Sequence, residues 1–447
     1  MPAADRPLSR DSADGLVVAI GIVALAVAMG IGRFAFTPLL PLMLRDGSIT
    51  PGAGAEWAAA NYAGYLAGAL TAARFSEQPR RGLLVALAGI VLTTLAVAAV
   101  GGWGGAALRF AAGVFSAWTL VCASAWCLGE LARRSAAQRG AWIFTGVGLG
   151  ITLAGLLTWW GGRQPAAALW LETGLLAALG TAAVAWALRA GSQAGSGAVG
   201  AARASPLVPQ PVSPAMSPPM SSPMSPPMSS PMSPAMSSPP SRAHPAEASP
   251  AAATAAAPGP AALVLCYGAM GFGYIAPATF LPAMAREQVA DPLVFGLTWP
   301  LFGLAAAASV AVAARWLSAW PRRRVWALAQ ATMALGTAVP LASQSLAALA
   351  ASALFVGGTF MVATMAGLQM ARERLPANPT PLLARMTAAF AAGQIAGPLL
   401  VRALVPAGLD PAAAVTCTLA LATLALLASA AWLGRAAASS TDRRPIP

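Results

Sequence analysis

An arginine deep inside an apolar stretch is the residue of this chain with the clearest capacity for chemistry. Arg33 lies 18 residues into the stretch 15–44, slightly past its midpoint. At about 1.5 Å per helical residue it stands roughly 15 Å from the far end, too deep for its charge to reach water easily. Thr37, one turn further on, shares its face. We interpret both as facing an internal polar cavity. The alternative is a structural arginine that bonds to carbonyls of a helix broken near Pro38 and Pro41.

Arg109 and Glu172 lie at similar depth in two other apolar stretches, 103–130 and 166–188. Glu172 is the only carboxylate well inside any stretch, so it is the one candidate for carrying a proton there. The two side chains are candidates for an ion pair. A position of Glu172 at the aqueous rim remains an equal alternative.

Charged residues at the ends of the stretches are candidates for a gate. They are Arg74, Arg81, Glu130, Arg133 and Arg134. Glu130 precedes two of these arginines by three and four residues, so local ion pairs on one helix face are one interpretation. The other is a contact from Glu130 to Arg74 or Arg81 that forms and breaks as a gate.

The patterns that bind metals or nucleotides are missing from the sequence. It has no GxxxxGK[ST] loop, no HExxH and no Cys/His cluster, and its one histidine, His244, lies in a low-complexity segment. We therefore predict no metal site and no cofactor. An ATP-driven pump and an enzyme within the apolar stretches are excluded on the same grounds.

Composition places these residues in a lipid bilayer. The chain is 57% hydrophobic and 9% charged, whereas soluble domains carry about 25% charged residues. Twelve stretches are long enough to span a membrane. They are 15–44, 55–73, 83–100, 103–130, 140–161, 166–188, 260–285, 293–315, 324–342, 345–371, 381–404 and 411–434. The sequence therefore predicts an all-α membrane protein with twelve transmembrane helices.

The predicted domains are two bundles of six helices joined by a linker. They comprise a tail 1–14, a bundle 15–189, a linker 190–259, a bundle 260–434 and a tail 435–447. The linker is rich in Pro, Ser and Met, and its prolines forbid a long helix, so we predict disorder. A tandem expansion in an unconstrained tether explains its repeated Met; a thioether site for a soft metal is the alternative.

The arginines fix the expected orientation. The tails, the linker and alternate loops contain 21 of the 27 arginines. Arg-rich loops stay in the cytoplasm, so both termini should be cytoplasmic. The net charge of +13 is therefore explained by membrane topology, and we predict no nucleic-acid partner.

A near-repeat relates the two predicted bundles. Residues 28–46 and 269–287 are identical at 9 of 19 positions without a gap, at an offset of 241. Membrane transporters built from related halves bind their ligand between them. At this offset Tyr274 takes the position of Arg33, so the halves are chemically unequal: cationic in the first and neutral in the second.

Aromatic and amide side chains complete the candidate cavity. They would suit a flat or amphipathic organic molecule, although each alone is also typical of packing or lipid contact. They are Tyr62, Trp118, Tyr267, Tyr274, Trp299, Phe390 and Gln394.

Motifs in both halves resemble a known family. They are GIGRFAFTPLLPLM (30–43), ANYAGYLAGAL (60–70), LRFAAGVFSA (108–117), FTGVGLGI (144–151), GFGYIAPATFLPAM (271–284), FVGGTFM (355–361) and TAAFAAGQIAGPLL (387–400). Together with the twelve spans they resemble the YbfB/YjiJ-type bacterial branch of the major facilitator superfamily. The resemblance implies a secondary transporter of the bacterial inner membrane that works by alternating access.

The resemblance extends in part to superfamily motifs. Arg109 to Gly113 is similar to the fourth-helix Arg-x-x-x-Gly motif of proton-coupled exporters, which implies a coupling role for Arg109. The gating signature between helices two and three is echoed by Gly68 and the arginines from Arg74 to Arg81. Its usual Asp is absent, because Ala73 precedes Arg74.

Three functions follow as hypotheses. The first is proton-coupled export of a small organic solute, which rests on the Arg109 motif. The second is uptake of a small organic anion, which the positive field of Arg33 and Arg109 would favour. The third is a non-transporting scaffold or sensor that uses the linker as an interaction tail. We expect a monomer whose partners are the bilayer, a small-molecule substrate and, under the first hypothesis, protons.

Overall fold

A computed structural model describes residues 10–75, 77–204, 259–289, 291, 296–317, 319–375 and 380–438. Within these ranges the chain is helical and contains no strand. The repeated Met residues of the predicted linker, His244 and the distal parts of both tails lie outside the described residues.

Thirteen α-helices are present in the described ranges. They are α1 (Arg10–Leu25), α2 (Phe36–Arg45), α3 (Pro51–Thr71), α4 (Pro79–Val97), α5 (Gly102–Arg133), α6 (Thr145–Trp160), α7 (Ala166–Ala204), α8 (Pro260–Gln288), α9 (Thr298–Trp316), α10 (Arg322–Ala342), α11 (Leu346–Arg374), α12 (Thr380–Leu404) and α13 (Pro411–Ala438). A π-helix, Ala26–Arg33, joins α1 to α2, and 3₁₀ turns cover Ala72–Phe75 and Ala137–Phe144. We call α1–α7 the first half and α8–α13 the second half.

The all-α membrane fold predicted from the sequence is confirmed, with one difference in the count of apolar spans. Eleven helical segments of the described chain are long and apolar enough to cross a membrane, the first being Asp11–Arg45. The remaining predicted span, 55–73, forms α3 but is not among them. Glu56, Asn61 and the tyrosines of α3 lower its hydropathy, and its inner face is buried by protein instead.

The ends of the two predicted bundles differ slightly from the helix bounds. The first helix begins at Arg10, inside the predicted tail, and α7 runs on to Ala204, past residue 190 where the linker was predicted to begin. The first helix of the second half begins at Pro260.

The first span is broken at the depth of Arg33. The amide of Phe34 bonds to the carbonyl of Met29, five residues back, which is the π-helical pattern. Pro38 has no N–H, and the amide of Thr37 bonds to the Phe34 carbonyl at 3.2 Å. Backbone carbonyls near Arg33 therefore need donors from elsewhere. Inserted π turns often mark functional sites.

Two helix pairs hold the halves together. Helix α3 packs on α12, and α6 packs on α9. Glycines permit the second contact: a Cβ atom at Gly148 would lie 2.2 Å from the Ala307 nitrogen, and one at Gly303 would lie 2.4 Å from the Thr152 nitrogen. The backbones of α6 and α9 are thus close enough that no side chain fits between them there.

Asp46, the last residue of the repeat segment 28–46, connects the first span to α7. The carboxylate of Asp46 accepts the amide of Ala166, the first residue of α7, at 2.7 Å. Burial raises the pKa of Asp46, but hydrogen bonds from Arg45 and Ala166, with the charges of Arg45 and Arg286, outweigh it and hold that pKa below its usual value. The ionised carboxylate suits the positive N-terminal end of α7.

Candidate functional site

Arg33 lies at the interface between the two halves, which we call the seam. Its side chain extends from the last residue of the π-helix, only 3% of its surface is exposed, and its Nη2 donates to Oε1 of Gln394 on α12. The guanidinium carbon lies 3.8 Å from the ring centroid of Tyr65 and 5.6 Å from that of Tyr62, both on α3. The charge is thus held by aromatic faces and one amide.

Gln394 continues the hydrogen bonds into the second half. Its Nε2 donates to the hydroxyl of Tyr274 on α8. Arg33 and Tyr274, which occupy equivalent positions in the sequence repeat, are therefore joined through a single amide. A second polar contact crosses the seam nearby, where the hydroxyls of Tyr62 and Thr279 lie 3.2 Å apart.

The charge of Arg33 has no carboxylate partner among the described residues. No Asp or Glu oxygen there lies within 4.0 Å of its nitrogens, and its buried Nε and Nη1 have no hydrogen-bond acceptor. A buried charge is costly unless it is paired. The seam therefore has unused capacity to bind an anion.

Arg109 has different surroundings. Its guanidinium donates to the carbonyls of Gly32 and Arg33 at 3.0 and 2.8 Å, where the π-helix lacks amide donors. Ser116, also on α5, donates to the carbonyl of Ala28 at 2.8 Å. The sequence analysis considered Arg33 as a structural arginine that bonds to carbonyls of a broken helix. In the structure Arg109 has this role.

Three of the aromatic candidates form a wall on the second half together with two other phenylalanines. Five rings contact one another in series, with centroids 5.0–5.6 Å apart. They are Trp299, Phe302, Phe360, Tyr274 and Phe390. The ring of Tyr267 lies 5.2 Å from that of Phe390 at the end of this wall.

Phe34 of the first half meets this wall. Its ring centroid is 6.4 Å from that of Trp299 and 6.4 Å from that of Phe360. The Nε1 of Trp299 is a further buried donor without an acceptor. Thr37 is buried too, with 5% of its surface exposed. The centre of the seam thus combines one cation, several rings and unused donors.

Two predicted candidates lie apart from this group. Trp118 donates from Nε1 to the hydroxyl of Thr71 at 3.0 Å, and the Arg74 guanidinium lies 5.0 Å from its ring, all within the first half. Glu172 is partly exposed on α7 and forms no ion pair with Arg109. The candidate Arg109–Glu172 ion pair is not formed, because Arg109 donates to backbone carbonyls instead.

The gate candidates bond within their own half. Glu130 forms the local ion pairs with Arg133 and, at 2.8 Å, with Arg134. Arg74 donates to the carbonyl of Thr71, and Arg81 donates to the Gln78 side chain at 3.5 Å. The structure thus shows the local pairing of Glu130, while the gating role of these residues stays a prediction.

Sequence reasoning missed an ion pair between the halves. Glu56 on α3 bonds to Arg402 on α12, on the side opposite the arginine-rich loops. Tyr65, Phe34, Phe302 and Phe360 were also missed. Tyr65 follows Tyr62 by three residues, a spacing that places both on one helix face and was a usable signal. No group of His, Cys, Asp or Glu among the described residues is arranged to hold a metal ion.

The sequence and the fold match known transporters. The family profile described as "Uncharacterised MFS-type transporter YbfB" matches residues 25–210 and 231–433. A comparison with proteins of curated function found no match.

Solved structures of transporters share the fold. The nucleoside transporter NupG is 11% identical and aligns over 94% of this chain and 99% of its own, with a TM-score of 0.61. The POT family transporter PepTSo is 13% identical over 98% and 100%, with a TM-score of 0.63. A D-xylose–proton symporter is 10% identical over 95% and 97%, with a TM-score of 0.61. Because the profile covers most of both halves, the chain belongs to the YbfB-type family of major facilitator superfamily transporters.

Proposed function

We propose that this transporter moves small organic anions across the membrane by alternating access, with Arg33 as the residue that binds the anionic group. The observation that carries the proposal is the buried guanidinium of Arg33, which lies between the halves and has no carboxylate partner in the part of the chain that the structure describes. An anionic substrate would neutralise this charge and use its free N–H groups.

The contacts of Arg33 explain how binding would be linked to movement. From the second half its guanidinium is bonded by Gln394, a neutral amide. Separation of the halves would break this bond and expose the guanidinium to water and substrate. A carboxylate that takes the place of the Gln394 oxygen on Nη2 would reach Nη1 or Nε at the same time, since each shares an edge of the guanidinium plane with Nη2.

The surroundings of Arg109 do not add to the argument for proton-coupled export. That prediction rests on the sequence motif, whereas the guanidinium of Arg109 is occupied by carbonyls of the first span. Export with proton coupling stays a prediction from the sequence. Imposed pH gradients of either sign in vesicles separate it from uptake, because they show which gradient drives accumulation.

Recordings on proteoliposomes adsorbed to a solid-supported membrane test the proposal. A panel of carboxylates, neutral amides and amines is applied, and an internal pH-sensitive dye reports electroneutral movement with protons. Carboxylates should produce either a current or a response of the dye. Arg33→Gln should weaken apparent affinity by about 10- to 100-fold, the loss expected for a charged hydrogen bond, and Arg33→Lys should retain part of it.

Arg163→Gln is the matched control, because Arg163 is exposed in the loop between α6 and α7. It should leave the signals unchanged. Transport of amines or neutral solutes without transport of any carboxylate would contradict the proposal. Undiminished carboxylate signals in Arg33→Gln would contradict it equally.

A further inference from the structure

The wall of rings in the second half lies opposite the Arg33 cation of the first half. This arrangement indicates which class of anion the transporter would bind. From Trp299 to Phe390, neighbouring rings of the wall are inclined by 29° or less. All five are nearly inaccessible in this conformation. Because aromatic pairs gain interaction energy beyond the area they bury, a wall of rings favours another aromatic ring over a saturated one of similar size.

Phe34 contacts both this wall and the cation. The rings of Phe34 and Phe360 meet edge to face at an interplanar angle of 76°, and Phe34 follows Arg33 directly in the chain. The Arg33 guanidinium lies 5.4 Å from the Phe34 ring centroid. A phenyl ring and a charged group thus already lie side by side in the closed seam, both supplied by the first half.

Unused donors belong to two neighbours of Phe34. The Nε and Nη1 of Arg33 and the Nε1 of Trp299 are buried without acceptors. Arg33 is 3% exposed and Trp299 is 1% exposed. Buried donors are normally bonded, so the unbonded donors of these two neighbours of Phe34 are available to acceptors of a bound molecule.

We propose that the transported anions are aromatic carboxylates. This inference rests on the proposed function above. When the halves separate, Phe34 withdraws from Trp299 and Phe360. The substrate ring then packs on the wall where Phe34 lay, and its carboxylate binds Arg33. An acceptor group elsewhere on the substrate bonds to the Trp299 indole N–H.

Binding of matched ligands to the purified full-length transporter, measured by calorimetry in detergent, tests the inference. The probes are phenylacetate, its saturated analogue cyclohexylacetate and its neutral analogue phenylacetamide. The wild type should bind phenylacetate about three- to tenfold more tightly than cyclohexylacetate, the range expected for one aromatic contact. Phenylacetamide should bind weakest.

Variants at Phe360 locate the preference on the wall. Phe360→Leu should reduce the preference for phenylacetate to near unity, while Phe360→Tyr should keep it. Phe110→Leu is the matched control, because Phe110 is 41% exposed on α5 and should leave the preference intact. The wild-type comparison needs no variant, so it decides the matter even if Phe360→Leu folds poorly.

Equal binding of the two carboxylates by the wild type would overturn this inference and leave the proposed function standing. The inference would also be overturned if a folded Phe360→Leu variant kept the full preference for phenylacetate over cyclohexylacetate. If neither carboxylate binds, or if phenylacetamide binds as well as phenylacetate, the proposed function itself fails. Loss of both carboxylates in Arg33→Gln supports it.

Discussion

At the scale of single residues, two buried arginines of the same half have different partners. Arg33 meets the faces of tyrosines and one amide from the other half, whereas Arg109 donates to two backbone carbonyls of the first span. The first arrangement is open to an anion. The second fixes the shape of the π-helix that presents Arg33 to the seam.

Arg109→Gln tests this division. Loss of the guanidinium leaves the carbonyls of Gly32 and Arg33 without their donors, at a cost of about 1–3 kcal/mol for each buried group. We expect a lower thermal midpoint in detergent, reduced transport and an unchanged pH profile of what transport remains. An unchanged midpoint with a shifted pH profile would contradict this and assign Arg109 to proton coupling.

The depth of Arg33 in an apolar stretch was enough to single it out from the sequence, since few explanations exist for a charge at that position. The partner of Arg109 was not predictable in the same way. Composition does not show which carbonyls lack amide donors, and that depends on the register of the π-helix. Phe34 and Phe360 were missed because single phenylalanines in apolar spans carry no signal of their own.

At the scale of helices, two helix pairs connect the halves. Helix α6 meets α9 through Gly148 and Gly303, and α3 meets α12 through Glu56 and Arg402 on the side opposite the arginine-rich loops. A partly exposed ion pair adds little to overall stability. Between two conformations of similar free energy, however, a small difference shifts the populations.

Charge reversal at the Glu56–Arg402 pair should therefore shift the equilibrium toward separation on this side. In Glu56→Arg we expect a longer mean distance between spin labels at Ser48 and Ala407, both exposed on this side, in a cysteine-free background. The double variant Glu56→Arg with Arg402→Glu should restore the distance.

The matched control is Glu287→Arg, which reverses an exposed charge on the same side and should leave the distance unchanged. A double variant that fails to restore the distance would show that the two side chains do not act as a pair. The same conclusion would follow if the control Glu287→Arg changed the distance between the labels as much as Glu56→Arg does.

Hydropathy predicted the helices well because lipid requires continuous apolar helices of a set length. It failed to give the break in the first span, since Pro38 and Pro41 indicate a distortion without saying which turn widens. Hydropathy also did not show why α3 is more polar than the other spans. The polar residues of α3 face protein partners, such as the Arg109 carbonyl that accepts from Asn61 at 2.8 Å, rather than lipid.

At the scale of the whole molecule, the seam is closed around its polar centre. Gln394 and Tyr274 are 0% and 1% exposed, and the hydrogen bonds between Arg33, Gln394 and Tyr274 run from one half to the other. Under the proposed function, a substrate would reach Arg33 only after the halves move apart. The proposed alternating access therefore requires these contacts to break and reform in each cycle.

Accessibility of a cysteine at Thr37 tests this central claim most directly. In a variant whose native cysteines are replaced by alanine, Thr37→Cys is exposed to a membrane-impermeant thiol reagent in right-side-out and in inside-out vesicles. Thr93→Cys is the control, because Thr93 is buried within the first half and bonds to the Gly89 carbonyl. The account predicts labelling of Thr37→Cys from both sides and of Thr93→Cys from neither. Protection of Thr37→Cys in both orientations would contradict it.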